Sequence, residues 1–125
     1  GMMICFDWMF PESMRSLALL GADIVCHPAN LVMPFCQKAM VTRCLENNVF
    51  AITANRVGGD KRPFGEISFT GQSQITAPRE MIMALASANH EEAAEIEIDI
   101  HAARNKKLNP FNHLLLDRRK NMYTL

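Results

Sequence analysis

Apolar and polar positions follow two different periods along this chain, and the change falls near its middle. Met2-Met3-Ile4-Cys5-Phe6 is a short apolar run ending beside Asp7, the pattern of a buried strand closed by a turn. Pro11 to Leu20 carries Met14, Leu17, Ala18 and Leu20 at helical spacing. Pro11 suits the first helical turn, and Gly21 can end the helix in a left-handed conformation. Ala22 to Cys26 then reads as a second strand. Gln37 to Asn48 predicts a second helix, with Ala39, Met40, Cys44 and Leu45 inward, Lys38, Arg43 and Glu46 outward, and Asn47-Asn48 closing it. Val49 to Ala54 predicts a third strand. Strands joined by helices at this spacing make right-handed crossovers between parallel strands, so residues 1–57 read as a βαβαβ unit.

Beyond that point the apolar runs shorten. Gly58 to Gly65 is a loop by composition. Ile67–Thr70, Ser73–Thr76, Met81–Leu85 and Ala94–Ile100 predict short strands split by turns, so residues 66–100 read as a mainly antiparallel meander. In its last strand Glu95, Glu97 and Asp99 alternate with Ala94, Ile96, Ile98 and Ile100, one wet acidic face against one apolar face. His90-Glu91-Glu92 reads as a turn. Ala102 to Lys107 predicts a single helical turn, and residues 101–125 form a basic C-terminal arm suited to packing on a neighbouring face or subunit.

Composition narrows the function without naming it. The 125 residues make one domain of α/β class, and the 13 Lys and Arg balance the 13 Asp and Glu, which gives no footprint for nucleic acid or an acidic membrane. Apolar stretches are broken well before the length of a membrane span. The nine methionines read as adaptable core filling. The four cysteines, at 5, 26, 36 and 44, have no CxxC or zinc-site spacing, which predicts reduced thiols in a cytoplasmic protein without metal or cofactor.

Cys5 is the candidate for chemistry. It closes the first strand, and in an open α/β sheet ligands gather at the carboxyl ends of neighbouring strands, so the loop His27-Pro28-Ala29-Asn30 after the second strand faces the same crevice. A thiolate there would be a nucleophile. The competing reading is a buried strand cysteine, since Cys is among the most buried residue types. His27 beside a proline reads as a hydrogen-bonded structural residue rather than a general base. Cys26, Cys36 and Cys44 read as core thiols. Gly58-Gly59 is a weak phosphate-cradle signal, because neither a GK[ST] nor a GxGxxG follows.

The succession Met2-Met3-Ile4-Cys5-Phe6-Asp7-Trp8, Phe10-Pro11-Glu12, Gly21-Ala22-Asp23-Ile24, His27-Pro28-Ala29-Asn30, Arg43-Cys44-Leu45-Glu46-Asn47, Ala54-Asn55-Arg56-Val57-Gly58, Phe69-Thr70-Gly71-Gln72-Ser73 and Arg118-Arg119 with Tyr123 resembles the C-terminal half of the carbon–nitrogen hydrolase, or nitrilase, superfamily. The resemblance implies half of a four-layer α-β-β-α sandwich and hydrolysis of a non-peptide C–N bond by a Glu-Lys-Cys triad. It makes Cys5 the nucleophile that attacks the carbon of a small amide or nitrile, expels ammonia and is freed when water resolves the thioester. It gives the backbone N–H of Phe6 half of an oxyanion hole. The family's glutamate and lysine precede the cysteine strand and have no counterpart among these residues. Glu12, Lys38 and Glu46 follow Cys5 and cannot take their roles by motif. The resemblance therefore predicts a chain nearly inactive alone, associating as a homo-oligomer or with the missing N-terminal half across its uncovered sheet.

Carbamoylase-like relatives place arginines just after the Cys-x-Asp, where this chain has Trp8 and Met9. The resemblance thus predicts a pocket formed by Trp8, Met9, Ala29 and Asn30 that favours a neutral amide. The runner-up reading is a non-catalytic remnant serving assembly. A thiol redox role lacks a nearby resolving cysteine.

Overall fold

The computed structural model describes residues 1–79 and 81–123, so the last two positions of the expected C-terminal arm lie outside the described residues. Its centre is a sheet of order β1-β2-β5-β6, built from β1 (Ile24–Ala29), β2 (Phe50–Asn55), β5 (Gln74–Ala77) and β6 (Met81–Leu85). β1 and β2 run parallel in the register Ile24↔Phe50 to Ala29↔Asn55, with α2 (Cys36–Asn47) as the crossover between them. β5 lies antiparallel to β2, and β6 antiparallel to β5. The chain start adds to the free edge of β1 in parallel through Met2 and Cys26, with Met3 N–H donating to the Cys26 carbonyl at 3.1 Å. The expected βαβαβ order thus holds, but its first strand shrinks to one bridge before the backbone turns.

α1 (Pro11–Leu19) starts with Pro11 in its first turn and ends at Gly21, whose φ of +92° bears out the left-handed stop. Met14 and Ala18 of α1 pack with Met40 and Cys44 of α2, Val25, Val49 and Ala51, and these bury one sheet face. α2 closes on Asn48, which has left-handed angles (φ 48°, ψ 57°), and its side-chain amide donates to the carbonyls of Ala102, Ala103 and Asn105 at 2.8, 3.1 and 3.0 Å. One residue therefore ends α2 and anchors the short α3 (His101–Arg104).

The burial alternation along β1 and β2 leaves Cys26, Pro28, Ile52 and Ala54 pointing away from the helices and exposed. Ile82 and Leu85 of β6 are exposed as well. Cys26 is therefore not the core thiol expected, whereas Cys36 and Cys44 are wholly buried. Burial pushes both buried thiols up to about 12.

Two further expectations change. The presumed loop 58–65 holds a hairpin of β3 (Gly59–Arg62) and β4 (Gly65–Ser68). Its pairing has no apolar alternation to reveal it: Arg56 and Arg62 both bond the Asp60 carboxylate, and the Arg56 guanidinium sits 4.3 Å over the Phe69 ring. A Cβ on Gly59 would lie 2.6 Å from the Ile67 carbonyl oxygen, so the two strands close up only with glycine there. Conversely, residues 94–100 form no strand. Ile98 and Ile100 pack on Phe50, Ala77 and Ala103 without a ladder partner, while Ala94 and Ile96 stay exposed, so only the last part of the alternation lies on apolar neighbours. The arm beyond α3 holds a second small hairpin, β7 (Lys107–Asn109) with β8 (Asn112–His113).

Candidate active site

The nucleophile candidate sits on a sharp turn. Cys5 has φ of +44°, and the chain continues at once into a 3-10 turn over Cys5–Met9. A non-glycine residue in the left-handed region costs about 1–2 kcal/mol, so neighbouring contacts must hold it. Asp7 bonds back to the Ile4 N–H through Oδ2 at 2.8 Å, while the Asp7 N–H donates to the Ile4 carbonyl at 3.0 Å. From β1, the His27 ring reaches the Cys5 carbonyl with Nε2 at 2.9 Å and Thr53 Oγ1 with Nδ1 at 3.2 Å.

These contacts assign the tautomer. A carbonyl oxygen only accepts, so Nε2 carries the proton, and Nδ1 accepts from the Thr53 hydroxyl. His27 is fully buried, and burial lowers its pKa below the ordinary histidine value, against the opposing effects of the Cys5 hydrogen bond and the Asp7 charge. Its ring contacts the backbone of Cys5 rather than the thiol, consistent with a structural histidine. His27, Thr53 and Gln74 occupy one register level of β1, β2 and β5, and all three are buried polar side chains on the helix side of the sheet. Gln74 continues the row by donating from Nε2 to the Gln37 carbonyl at 3.0 Å.

Cys5, Ile4, Pro28, Ala29 and Asn30 line a hollow of about 180 Å³. The Cys5 thiol approaches the Asn30 carbonyl at 4.0 Å, at the far end of contact for a sulfur donor. The crevice expected at the ends of neighbouring strands therefore brings together Cys5, Ala29 and Asn30. It does not bring in Trp8, which is 5% exposed in the core with Met3 and Met14. Of the side chains in this turn the indole has the most apolar area to bury, and burying it against α1 and α2 outweighs a place on the rim. Met9 is partly exposed but does not line the hollow. Phe6 is half-exposed and meets Phe10 edge-on at 5.6 Å between centroids. Its backbone N–H has no acceptor among the described residues.

Asn55 braces the site loop from the end of β2. Its Oδ1 accepts from the Leu31 N–H at 2.8 Å, and its Nδ2 donates to Thr70 Oγ1 at 2.9 Å and to the Gly71 carbonyl at 2.6 Å. The residue stood in the sequence only as part of a motif. An amide at a strand end, which can accept and donate at once, was the signal that it joins two loops. Among the described residues no group of three or more His, Cys, Asp or Glu side chains converges as a metal site would require, and no helix is long and apolar enough to cross a membrane.

Comparison with known proteins places this geometry. The carbon-nitrogen hydrolase family model matches residues 1–107. A protein described as a nitrilase in Pyrococcus abyssi is 48% identical over 123 residues, covering 98% of this chain and 45% of that protein. The crystal structure of a carbon-nitrogen hydrolase from Helicobacter pylori G27 superposes with a TM-score of 0.84 at 27% identity, covering 98% of this chain and 47% of the other. A mutant amidase from Nesterenkonia sp. AN1, bearing the acetamide moiety of fluoroacetamide on its active-site cysteine, superposes with a TM-score of 0.63 at 25% identity, over 70% of this chain and 33% of its own. The chain spans a little under half the length of the first two of these relatives. With a family match over most of its residues and a fold that superposes on the C–N hydrolases, this chain belongs to the carbon–nitrogen hydrolase family of the nitrilase superfamily.

Proposed function

We propose that these residues supply the nucleophile half of an amidase-type hydrolase, with Cys5 forming the thioester and the Phe6 N–H donating to the oxyanion. The observation that carries the reading is the left-handed turn at Cys5, which presents the thiol to a hollow at the strand ends instead of burying it in the sheet. The cysteine adduct in the Nesterenkonia amidase supports the chemistry. The substrate class is a small neutral amide: Ile4, Pro28 and Ala29 are apolar, no cationic side chain lines the hollow, and a carboxylate there would be desolvated without a partner.

By resemblance the family's Glu and Lys come before the cysteine, and Gly1 to Ile4 include neither. Turnover then needs both groups from outside these residues, because losing one member of a concerted set costs orders of magnitude. The open sheet face with Cys26 and Ile52 is where the completing layer packs, from a preceding half or from a second copy of the chain.

Two measurements test this. Chloroacetamide, followed by peptide mass mapping, is expected to modify Cys5 ahead of the exposed Cys26, and the reverse order would overturn the nucleophile assignment. Ammonia release from propionamide by the 125-residue chain alone is expected to be near background. Robust release that vanishes in Cys5→Ala would overturn the need for outside groups.

A further inference from the structure

The Cys5–Phe6 peptide has two faces, and β1 holds one of them. In a planar trans peptide the carbonyl and the following N–H point in opposite directions. The Cys5 carbonyl is drawn to His27 Nε2 at 2.9 Å, so the Phe6 N–H points away from the His27 ring, where it meets no acceptor among the described residues. The opposite orientation of the same peptide would aim a carbonyl oxygen where the N–H now points, and an oxyanion there would meet a lone pair instead of a donor.

We propose that His27 is a positioning residue that latches the Cys5–Phe6 peptide with its N–H outward, so that the oxyanion donor is formed before substrate arrives. Thr53 completes the latch, because its hydroxyl proton occupies Nδ1 and leaves the ring proton on Nε2. Both side chains are buried, so water does not compete for either bond. The inference rests on the reading of Cys5 as nucleophile, and its test separates the two.

The test compares two reactions of the same thiolate on the 125-residue chain. With p-nitrophenyl acetate, Cys5 sulfur attacks the ester carbon, a C–S bond forms, the carbonyl electron pair moves to oxygen, and collapse of the oxyanion breaks the C–O bond and releases p-nitrophenolate. With iodoacetamide, sulfur displaces iodide and no oxyanion forms. Peptide mass mapping gives both rates at Cys5, with exposed Cys26 as internal reference.

The wild-type ratio of acylation to alkylation is expected to be higher at Cys5 than at Cys26. His27→Leu, which removes the donor at similar volume, is expected to lower the Cys5 ratio roughly tenfold or more, in line with the loss of an oxyanion-hole donor. His27→Gln, which keeps an N–H donor, is expected to restore most of it. A merely structural role would change both rates together. An unchanged ratio in His27→Leu, or a parallel fall in both rates, overturns the latch and leaves the nucleophile standing. A wild-type Cys5 ratio no higher than that of Cys26 overturns the oxyanion reading and the latch with it. Folding is checked in the same samples, since buried Cys36 and Cys44 must stay unmodified. Where His27→Leu exposes them, Thr53→Val takes its place: a several-fold fall in the ratio supports the latch, and an unchanged ratio overturns it.

Discussion

Replacing Asn55 with alanine removes three side-chain hydrogen bonds that join the loop after β1 to residues 70–71. The losses are unequal. Leu31 is buried and its N–H has no other acceptor among the described residues, so stranding it costs about 1–3 kcal/mol. The Gly71 carbonyl and Thr70 Oγ1 keep the Gln37 amide, at 3.2 and 3.3 Å, so each loses a bond worth about 0.5–1 kcal/mol net. The sum is about 2–5 kcal/mol, or a fall in melting temperature of roughly 8–20 °C at about 4 °C per kcal/mol for a domain of this size. Asn55→Asp keeps the acceptor for Leu31 but sets an anionic oxygen against the Gly71 carbonyl, so it should also destabilise, by a different route. Urea unfolding followed by circular dichroism reads both variants, with an unchanged slope confirming that only stability has moved. An alanine variant within about 0.5 kcal/mol of wild type would refute the reasoning, since surface substitutions away from such features fall in that range.

Three further outcomes follow from the same geometry. Asn48→Gly retains a residue suited to the left-handed stop but loses the bonds to α3, whereas Asn48→Ala loses both, so alanine should be less stable than glycine by about 1 kcal/mol in thermal unfolding. Equal stabilities would contradict the role given to the backbone angle. Burial depresses the pKa of His27, so below the unfolded value of about 6.5 the unfolded chain takes up a proton that the folded one refuses. The stability conferred by the neutral ring is full above that pH and is lost as pH falls through the folded value. The groups facing the ring are the Cys5 carbonyl, the Thr53 hydroxyl and, at longer range, the Asp7 carboxylate. Denaturation series from pH 7 to about 5 should therefore show a steeper loss in wild type than in His27→Gln, and parallel curves would contradict it. Cys36 and Cys44, pushed up to about 12, should resist iodoacetamide at pH 8 until urea unfolds the chain, and early labelling would contradict their burial.

What could be read from the sequence depended on whether a signal was local. The helices are marked by periodic apolar positions, by Pro11 and by the closing Gly21 and Asn48, and the structure puts them within a residue or two of the expected bounds. The parallel β1–β2 pair follows from the crossover between them. The hairpin of β3 and β4 escaped because charges and a glycine contact hold it, and the strand expected at 94–100 is absent because alternation alone does not supply a pairing partner, and only Ile98 and Ile100 find apolar neighbours. At the site, motif order singled out Cys5, Ala29 and Asn30. The inward turn of Trp8 was hidden, since a strand-end residue faces the pocket or the core according to packing partners far away in sequence. The same holds for His27, whose ring meets a backbone carbonyl 22 positions earlier in the chain.

The most direct test of the central claim is turnover after completion. The 125-residue chain is mixed with a second polypeptide that carries a family glutamate and lysine on the complementary half sandwich, and ammonia release from propionamide is followed in wild type and Cys5→Ala. The account predicts release that appears only in the mixture and is abolished by Cys5→Ala. Release that survives Cys5→Ala would contradict it.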